Sequence, residues 1–161
     1  MRLWLSASSG DKTSGRRQQT PASRRANLVT LGVQAVIVTA AQKVLMVRHG
    51  YRPGWHFPGG GVETDETIEY ALARELEEET GVQLTQQPQI FGIYSHFEQF
   101  PGDHIIVFLA RHWTQPQVPP PNNEIVEQGF FDINALPDGS SIGSLRRIAE
   151  IFDGLPRADN W

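Results

Sequence analysis

The chain has 161 residues, a net charge of −4 at pH 7 and no cysteine. Disulfides, thiolate metal sites and a cysteine nucleophile are therefore excluded. The length suits one domain with a proper core, and no apolar run reaches the roughly 18 residues of a membrane span.

Residues 1–28 differ in composition from the rest of the chain. They carry six basic side chains against one acidic side chain, and they hold few large apolar residues. Such a segment has little to bury, so we predict a flexible basic leader followed by one folded domain over residues 29–161. An organellar transit peptide is the alternative for the leader. The remaining chain is acidic, which argues against a broad nucleic-acid-binding surface.

The predicted domain begins with two strands and a loop. Residues 29–39 and 43–48 are rich in β-branched and apolar side chains, and three residues separate them, so we predict a β-hairpin. The loop that follows, HGYRPGWHFPGGG at residues 49–61, holds five glycines and two prolines. Glycine at this density indicates a backbone that comes close to another group.

Residues 66–79 have the periodicity of a helix. The apolar residues of this segment fall on one helical face: Ile68, Ala71, Leu72 and Leu76. Glu75 and Glu79 point into that apolar face, and Glu78 lies on its flank. The remaining glutamates are predicted to point to water: Glu66, Glu69 and Glu77.

Carboxylates on an apolar helix face carry an energetic cost. Glu75, Glu78 and Glu79 would be desolvated and would repel one another. They also lie near the helix C-terminus, where the partial charge is negative. A bound cation removes these penalties, and carboxylate oxygens are the ligands that Mg²⁺ and Mn²⁺ prefer. The three glutamates therefore predict a metal site.

The second half of the chain predicts further strands and a final helix. Strands are expected near residues 90–97, 104–113 and 129–132, and a helix with one apolar face is expected over residues 141–152. Strands with one-sided helices between and after them predict an α/β sandwich, in which a mixed sheet is covered on both faces.

The stretch from Gly60 to Val82, GGVETDETIEYALARELEEETGV, also has a specific spacing. Its fixed positions are Gly60, Glu66, Arg74, Glu75, Leu76, Glu78, Glu79, Gly81 and Val82. In these nine residues the chain resembles the Nudix hydrolases, although Asp65 stands where many members have glycine. The resemblance implies a Nudix-type α/β/α sandwich with a mixed central β-sheet. It also implies hydrolysis of a diphosphate linkage in a nucleoside diphosphate derivative.

The resemblance also assigns roles to residues of the motif. It implies Mg²⁺ or Mn²⁺ held by Glu75, Glu78 and Glu79, with the carbonyl of Gly59 joining the metal shell. Arg74 would pair with the glutamates and fix their orientation. Arg74 and Glu78 are therefore expected among the catalytic residues. Glu66 would be a supporting charge at the helix start.

A further carboxylate is expected to accept the proton of the attacking water. Glutamates committed to a metal are poor bases, because ligation lowers their pKa and occupies their lone pairs. In relatives this group often comes from the loop before a late strand, and here that loop offers Glu124 and Glu127. We select Glu124, which follows the stiff Pro119–Pro121 run. Solvated loop charges are the alternative.

Residues around the glycine-rich loop are the expected substrate contacts. Arg48, Tyr51 and Arg52 are candidates for contacting phosphates or a base, and Trp55 is a fourth candidate that a role as a hydrophobic anchor would also explain. The expected partner is a small nucleotide, without a stable nucleic-acid partner or a membrane. We expect a cytoplasmic protein and leave a homodimer open. A non-catalytic nucleotide-sensing or RNA-binding module is the rival function, although a pure binder does not need three inward carboxylates.

Overall fold

The computed structural model describes residues 28–161, so the predicted leader lies outside the described residues except for Leu28. This part forms nine strands and two helices, in the order β1 (Thr30–Ile37), β2 (Lys43–His49), β3 (Trp55–His56), β4 (Gly59–Gly61), α1 (Ile68–Thr80), β5 (Gln83–Leu84), β6 (Gln89–Ser95), β7 (Asp103–Ala110), β8 (Trp113–Thr114), β9 (Ile125–Asp132) and α2 (Ile142–Phe152). Neither helix in this range is long and apolar enough to cross a lipid bilayer.

Three sheets hold the strands of the described residues. The largest has the order β4-β1-β7-β6, in which β1 and β7 run parallel with Val33 opposite Ile106. The other two pairings in this sheet are antiparallel, so the sheet is mixed. A second sheet is antiparallel and has the order β3-β2-β9, and β5 pairs with β8.

The two faces of the four-stranded sheet bury different clusters. On one face, buried residues of α1, β1 and β7 form the first cluster, which includes Leu72, Leu76, Val33, Ala35, Ile106 and Phe108. On the other face, α2 and the second sheet contribute to a cluster that includes Ile148, Val44, Met46, Phe57, Tyr94 and Val36. Alternate residues of β1 therefore serve both clusters. The predicted α/β sandwich with a mixed sheet is confirmed.

α1 begins and ends where its sequence supplies caps. The hydroxyl of Thr67 accepts a hydrogen bond at 3.2 Å from an N–H of the first turn. Gly81 ends the helix with φ 74°, the left-handed conformation that glycine adopts without strain. The helix spans Ile68–Thr80 where residues 66–79 were predicted, so Glu66 precedes it.

The predicted hairpin between the first two strands is wrong. In the described part of the chain, a bridge joins Val38 to Val44, but β1 and β2 belong to different sheets. β7 pairs along the whole of one edge of β1, and β4 occupies the other edge at Gly32–Gln34, which leaves β1 and β2 joined only by the bridge at their ends. The last strand also begins earlier than predicted, at Ile125, so Glu127 lies within it.

α2 buries charged side chains where the sequence predicted an apolar face. Of its apolar residues, Ile148 is buried, but Leu145 is 45% exposed. Arg147 is fully buried, donates to Glu150 at 2.7 Å and places its Cζ 3.8 Å from the ring centroid of Tyr94. The ion pair and the aromatic face together offset the cost of burying the charge.

Candidate functional site

Arg74 contacts three glutamates at the start and along one side of α1. Its Nε and Nη2 donate to the two carboxylate oxygens of Glu66 at 2.7 and 2.9 Å. Its Nη1 donates to Glu75 at 2.9 Å and to Glu78 at 3.3 Å. Glu66 therefore does not point to water as predicted, because this bidentate pair holds it and lowers its pKa. Arg74 in turn sets the direction of Glu75 and Glu78.

Glu79 lies deeper than the other two proposed metal ligands. It is 4% exposed, whereas the side chain of Glu78 is 62% exposed. The N–H of Gly59 donates to Oε2 of Glu79 at 2.8 Å, and Nδ1 of His49 lies 3.8 Å from Oε1. Glu77 is exposed and accepts a hydrogen bond from Gln83 at 3.0 Å. The helical period thus separates the inward glutamate from the outward one.

Glycines of the loop give the carboxylates room. A Cβ on Gly60 would overlap the carboxylate of Glu75, so this side chain lies directly against the backbone. Gly59 has φ 141°, and a Cβ there would overlap the carbonyl of Val33. The close approach that the density of glycine predicted is therefore an approach to the glutamates of α1 and to β1.

The electrostatics of the site disfavour negative charge. Burial raises the pKa of Glu79 to about 8 against the opposing hydrogen bond from Gly59, and the charges of Glu75 and Glu124 raise it further. Burial also raises the pKa of Glu75, against the hydrogen bond from Arg74. A positive charge placed beside them would stabilise the ionised form of both carboxylates.

By chemical type, these carboxylate donors suit a divalent cation. Within residues 28–161, no three His, Cys, Asp or Glu side chains already converge at metal-ligand distance. Arg74 holds the carboxylates of Glu75 and Glu78, and a buried third carboxylate lies on the next turn of the helix. Carboxylate oxygens suit Mg²⁺ or Mn²⁺, and neither thiolate nor a histidine set is present in this group to favour a softer metal.

The four expected substrate contacts have different surroundings. Tyr51 is 68% exposed, and the Cζ of Arg52 lies 6.0 Å from its ring centroid. The guanidinium of Arg48 donates to Glu127 at 2.7 Å across β2 and β9. Trp55 is 8% exposed and packs edge-on against Phe131, with ring centroids 4.8 Å apart. Trp55 therefore belongs to the core, which is the role of hydrophobic anchor.

Glu124 and Glu127 are also held differently. Glu124 comes directly before β9, and its carbonyl accepts from Gly50 N–H at 2.9 Å, which ties it to the glycine-rich loop. Its charge adds to the burial that raises the pKa of Glu79. Glu127 lies within β9 and is paired with Arg48. Glu124 is thus the carboxylate that the fold brings towards the glutamates of α1.

A protein-family model described as the NUDIX domain matches residues 29–150, which run from the start of β1 into α2 and include every carboxylate named above. The chain belongs to the NUDIX family. The resemblance drawn from the spacing of nine residues is thereby confirmed.

Three curated relatives of this Nudix chain carry the names of three different enzymes. An ADP-ribose pyrophosphatase of Methanocaldococcus jannaschii is 31% identical over 104 residues, 63% of this chain and 61% of the relative. The NAD-capped RNA hydrolase NudC of Vibrio atlanticus is 31% identical over 76% of this chain and 46% of the relative. The RNA pyrophosphohydrolase of Histophilus somni is 31% identical over 80% and 62%. The chain thus spans between 46% and 62% of the lengths of these relatives.

Solved structures show the same architecture. A MutT NUDIX hydrolase from Burkholderia pseudomallei is 26% identical, with a TM-score of 0.66 over 77% of this chain and 98% of that one. An ADP-ribose pyrophosphatase from Streptococcus suis is 23% identical, with a TM-score of 0.62 over 83% of this chain and 96% of that one. The second likeness speaks for the Nudix fold alone.

Sequence reasoning missed one buried residue beside Glu79, His49. It ends β2, is 3% exposed and lies with Nε2 2.6 Å from Nη2 of Arg52. Burial, and then the charge of Arg52, lower the pKa of His49 to about 4, so the ring is neutral. Alternation along β2 gave no signal for it, because four consecutive residues of the strand are buried and the register with β9 shifts between Arg48 and His49.

Proposed function

We propose that this Nudix domain is a divalent-metal-dependent hydrolase that cleaves a diphosphate linkage in a nucleoside diphosphate derivative. Glu75, Glu78 and Glu79 would hold Mg²⁺ or Mn²⁺, with the carbonyl of Gly59 as a further ligand. The observation that carries the proposal is the buried carboxylate of Glu79, whose pKa is raised and which lies beside two more carboxylates. Such a group is costly unless a cation joins it.

The residues around the ligands keep the site in order. Arg74 pairs with Glu66 on one side and with Glu75 and Glu78 on the other, so it limits the directions that these side chains can take. Gly59 N–H holds one oxygen of Glu79. When bound, a divalent cation neutralises phosphate oxygens and lowers the pKa of water.

Glu124 is the proposed general base. Its position is fixed by backbone, because Gly50 N–H donates to its carbonyl and Asn122 accepts from its own N–H at 2.8 Å. Its carboxylate is exposed, so water reaches it. A free carboxylate that is not a metal ligand can accept a proton from the water that attacks phosphorus, while the second phosphate leaves.

The names of the relatives support the proposed substrate class. Two of the three curated relatives carry pyrophosphatase or pyrophosphohydrolase in their names, which supports a diphosphate linkage as the target. Tyr51 exposes its ring beside the carboxylates and is the proposed contact for a base or sugar. Arg48 stays a proposed contact for a phosphate, and its present partner is the exposed carboxylate of Glu127.

A panel of nucleotides tests this function. Purified protein is incubated with nucleoside di- and triphosphates, ADP-ribose, dinucleotides and triphosphorylated RNA, with Mg²⁺ or Mn²⁺, and products are identified by mass spectrometry. We expect release of a nucleoside monophosphate or of pyrophosphate from at least one substrate, and loss of turnover in Glu79→Gln. Glu77→Gln, whose carboxylate points away, is the matched control. Tight nucleotide binding without turnover would contradict the proposal and favour a binding module.

A further inference from the structure

His49 and Arg52 form a buried pair beside Glu79 that the proposed mechanism does not use. Nη2 of Arg52 lies 2.6 Å from Nε2 of His49. The opposite ring nitrogen, Nδ1, is buried and has no hydrogen-bond partner within residues 28–161. It lies 3.8 Å from Oε1 of Glu79. A buried polar atom without a partner is uncommon in a folded protein and calls for an explanation.

The partner on one side of the ring determines the proton on the other side. A guanidinium can only donate, so Nε2 of His49 must accept, and a neutral ring then carries its proton on Nδ1. This N–H is on the side of Glu79, whose other oxygen already accepts from Gly59. A carboxylate movement of less than about 1 Å would bring Oε1 within hydrogen-bond distance of Nδ1.

We propose that His49 is a positioning residue for Glu79, donating from Nδ1 to Oε1, and that Arg52 fixes the tautomer that makes this donation. The inference rests on the proposed function, in which Glu79 is a metal ligand. Groups that hydrogen-bond a ligand orient it and tune its basicity, and their loss weakens metal binding by about 10–100-fold. Arg52 was expected to contact substrate; here it acts on Glu79 indirectly, because it fixes the tautomer of His49.

Three substitutions at one position separate the two ring nitrogens. His49→Asn can place an amide N–H where Nδ1 lies, His49→Gln places its amide where Nε2 lies, and His49→Leu keeps similar bulk without either group. Mn²⁺ affinity is measured by titration calorimetry on metal-free protein, together with the melting temperature without metal and with kcat and KM. We expect Mn²⁺ affinity about 10-fold weaker in His49→Leu and His49→Gln, with lower kcat and little change in KM.

The conservative variant decides between positioning and packing. We expect His49→Asn to stay within about three-fold of wild type in Mn²⁺ affinity, and Arg52→Met to fall between His49→Asn and His49→Leu. His49→Leu with wild-type Mn²⁺ affinity would overturn the inference, as would His49→Gln performing as well as His49→Asn. If His49→Leu does not fold, the Asn and Gln variants still decide. If wild-type protein neither binds Mn²⁺ nor hydrolyses any substrate of the panel, the proposed function is overturned. This result is distinct from a failure of the inference about His49.

Discussion

The carboxylate of Glu75 lies so close to the backbone of Gly60 that the structure has no space for a Cβ between them. Nη1 of Arg74 also donates to Oε1 of Glu75 at 2.9 Å. The side chain therefore contacts both the backbone of Gly60 and the guanidinium of Arg74, and these two contacts limit the directions that this proposed metal ligand can take.

Gly60→Ala should push the Glu75 carboxylate out of place. The atoms that the new Cβ meets are the far end of a flexible side chain, so we expect little change in melting temperature. We expect Mn²⁺ affinity to fall about 10-fold, as for other disturbed ligand shells. Gly61→Ala is the control, because a Cβ there meets nothing within 4 Å. Calorimetry on both variants checks this, and equal Mn²⁺ affinities would contradict it.

Glu78 and Glu77 are adjacent in sequence but point in different directions. Glu78 accepts from Arg74, whereas Glu77 accepts from Gln83 on the outer side of α1. We expect Glu78→Gln to lower kcat by roughly 10²–10⁴-fold, since it removes a proposed ligand, and Glu77→Gln to be nearly silent. A chelator should abolish wild-type turnover, and added Mg²⁺ or Mn²⁺ should restore it. Comparable losses in both variants would show that the helical assignment of the ligands is wrong.

Glu150 should make the free energy of unfolding depend on pH in the acidic range. Burial would raise its pKa, but hydrogen bonds from Ala158 N–H, Arg147 and Tyr94 outweigh burial and lower the pKa below its ordinary 4.5. A lowered pKa in the folded state contributes stability at pH values above 4.5, and that stability is lost as the pH falls further.

Glu150→Gln removes this contribution and leaves Arg147 buried without its counter-charge. We expect a loss of about 3–5 kcal/mol of unfolding free energy at pH 7, or roughly 10 °C in melting temperature. The difference from wild type should shrink below pH 4, because protonation removes the same charge from the wild type. Thermal melts across pH 3–8 measure it. Asp153→Asn, an exposed carboxylate at the end of α2, is the control and should change little.

Local spacing predicted some of these features, and distant partners determined the rest. Glu79 could be placed inward and Glu77 outward because a helix has a fixed period that the sequence carries by itself. The pairing of β1 could not be predicted in this way, because its two partners, β4 and β7, are separated from it along the chain by other strands.

The same limit applies to buried polar groups. The burial of Arg147 depends on the ring of Tyr94, which belongs to β6, and on its ion pair with Glu150. The role inferred for His49 depends on Arg52, which lies three residues later in a loop. The sequence has no periodic pattern there from which the position of the Arg52 guanidinium could be predicted. Hydrophobic patterns predict where apolar side chains are buried, but a charged side chain is buried only where a specific partner pairs with it, and that partner often lies far along the chain.

Glu127 is paired with Arg48, whereas the carboxylate of Glu124 has no hydrogen-bond partner among residues 28–161. Arg48 holds the Glu127 carboxylate at 2.7 Å within β9, whereas the loop that carries Glu124 is tied to Gly50 next to the proposed metal site. A carboxylate engaged by a guanidinium has fewer lone pairs open to a water proton than one without such a partner.

Glu124→Gln is therefore expected to lower kcat by roughly 10²–10⁴-fold with little change in KM, since it removes a proton acceptor without removing a metal ligand. Mn²⁺ affinity should stay within a few-fold of wild type, which separates a base from a ligand. Glu127→Gln should lower kcat much less. Arg48→Met removes the partner of Glu127, and adding it to Glu124→Gln should not restore kcat. Steady-state kinetics and calorimetry on the three variants decide the assignment. Equal and mild losses in Glu124→Gln and Glu127→Gln would place the proton acceptor elsewhere, among the glutamates of α1.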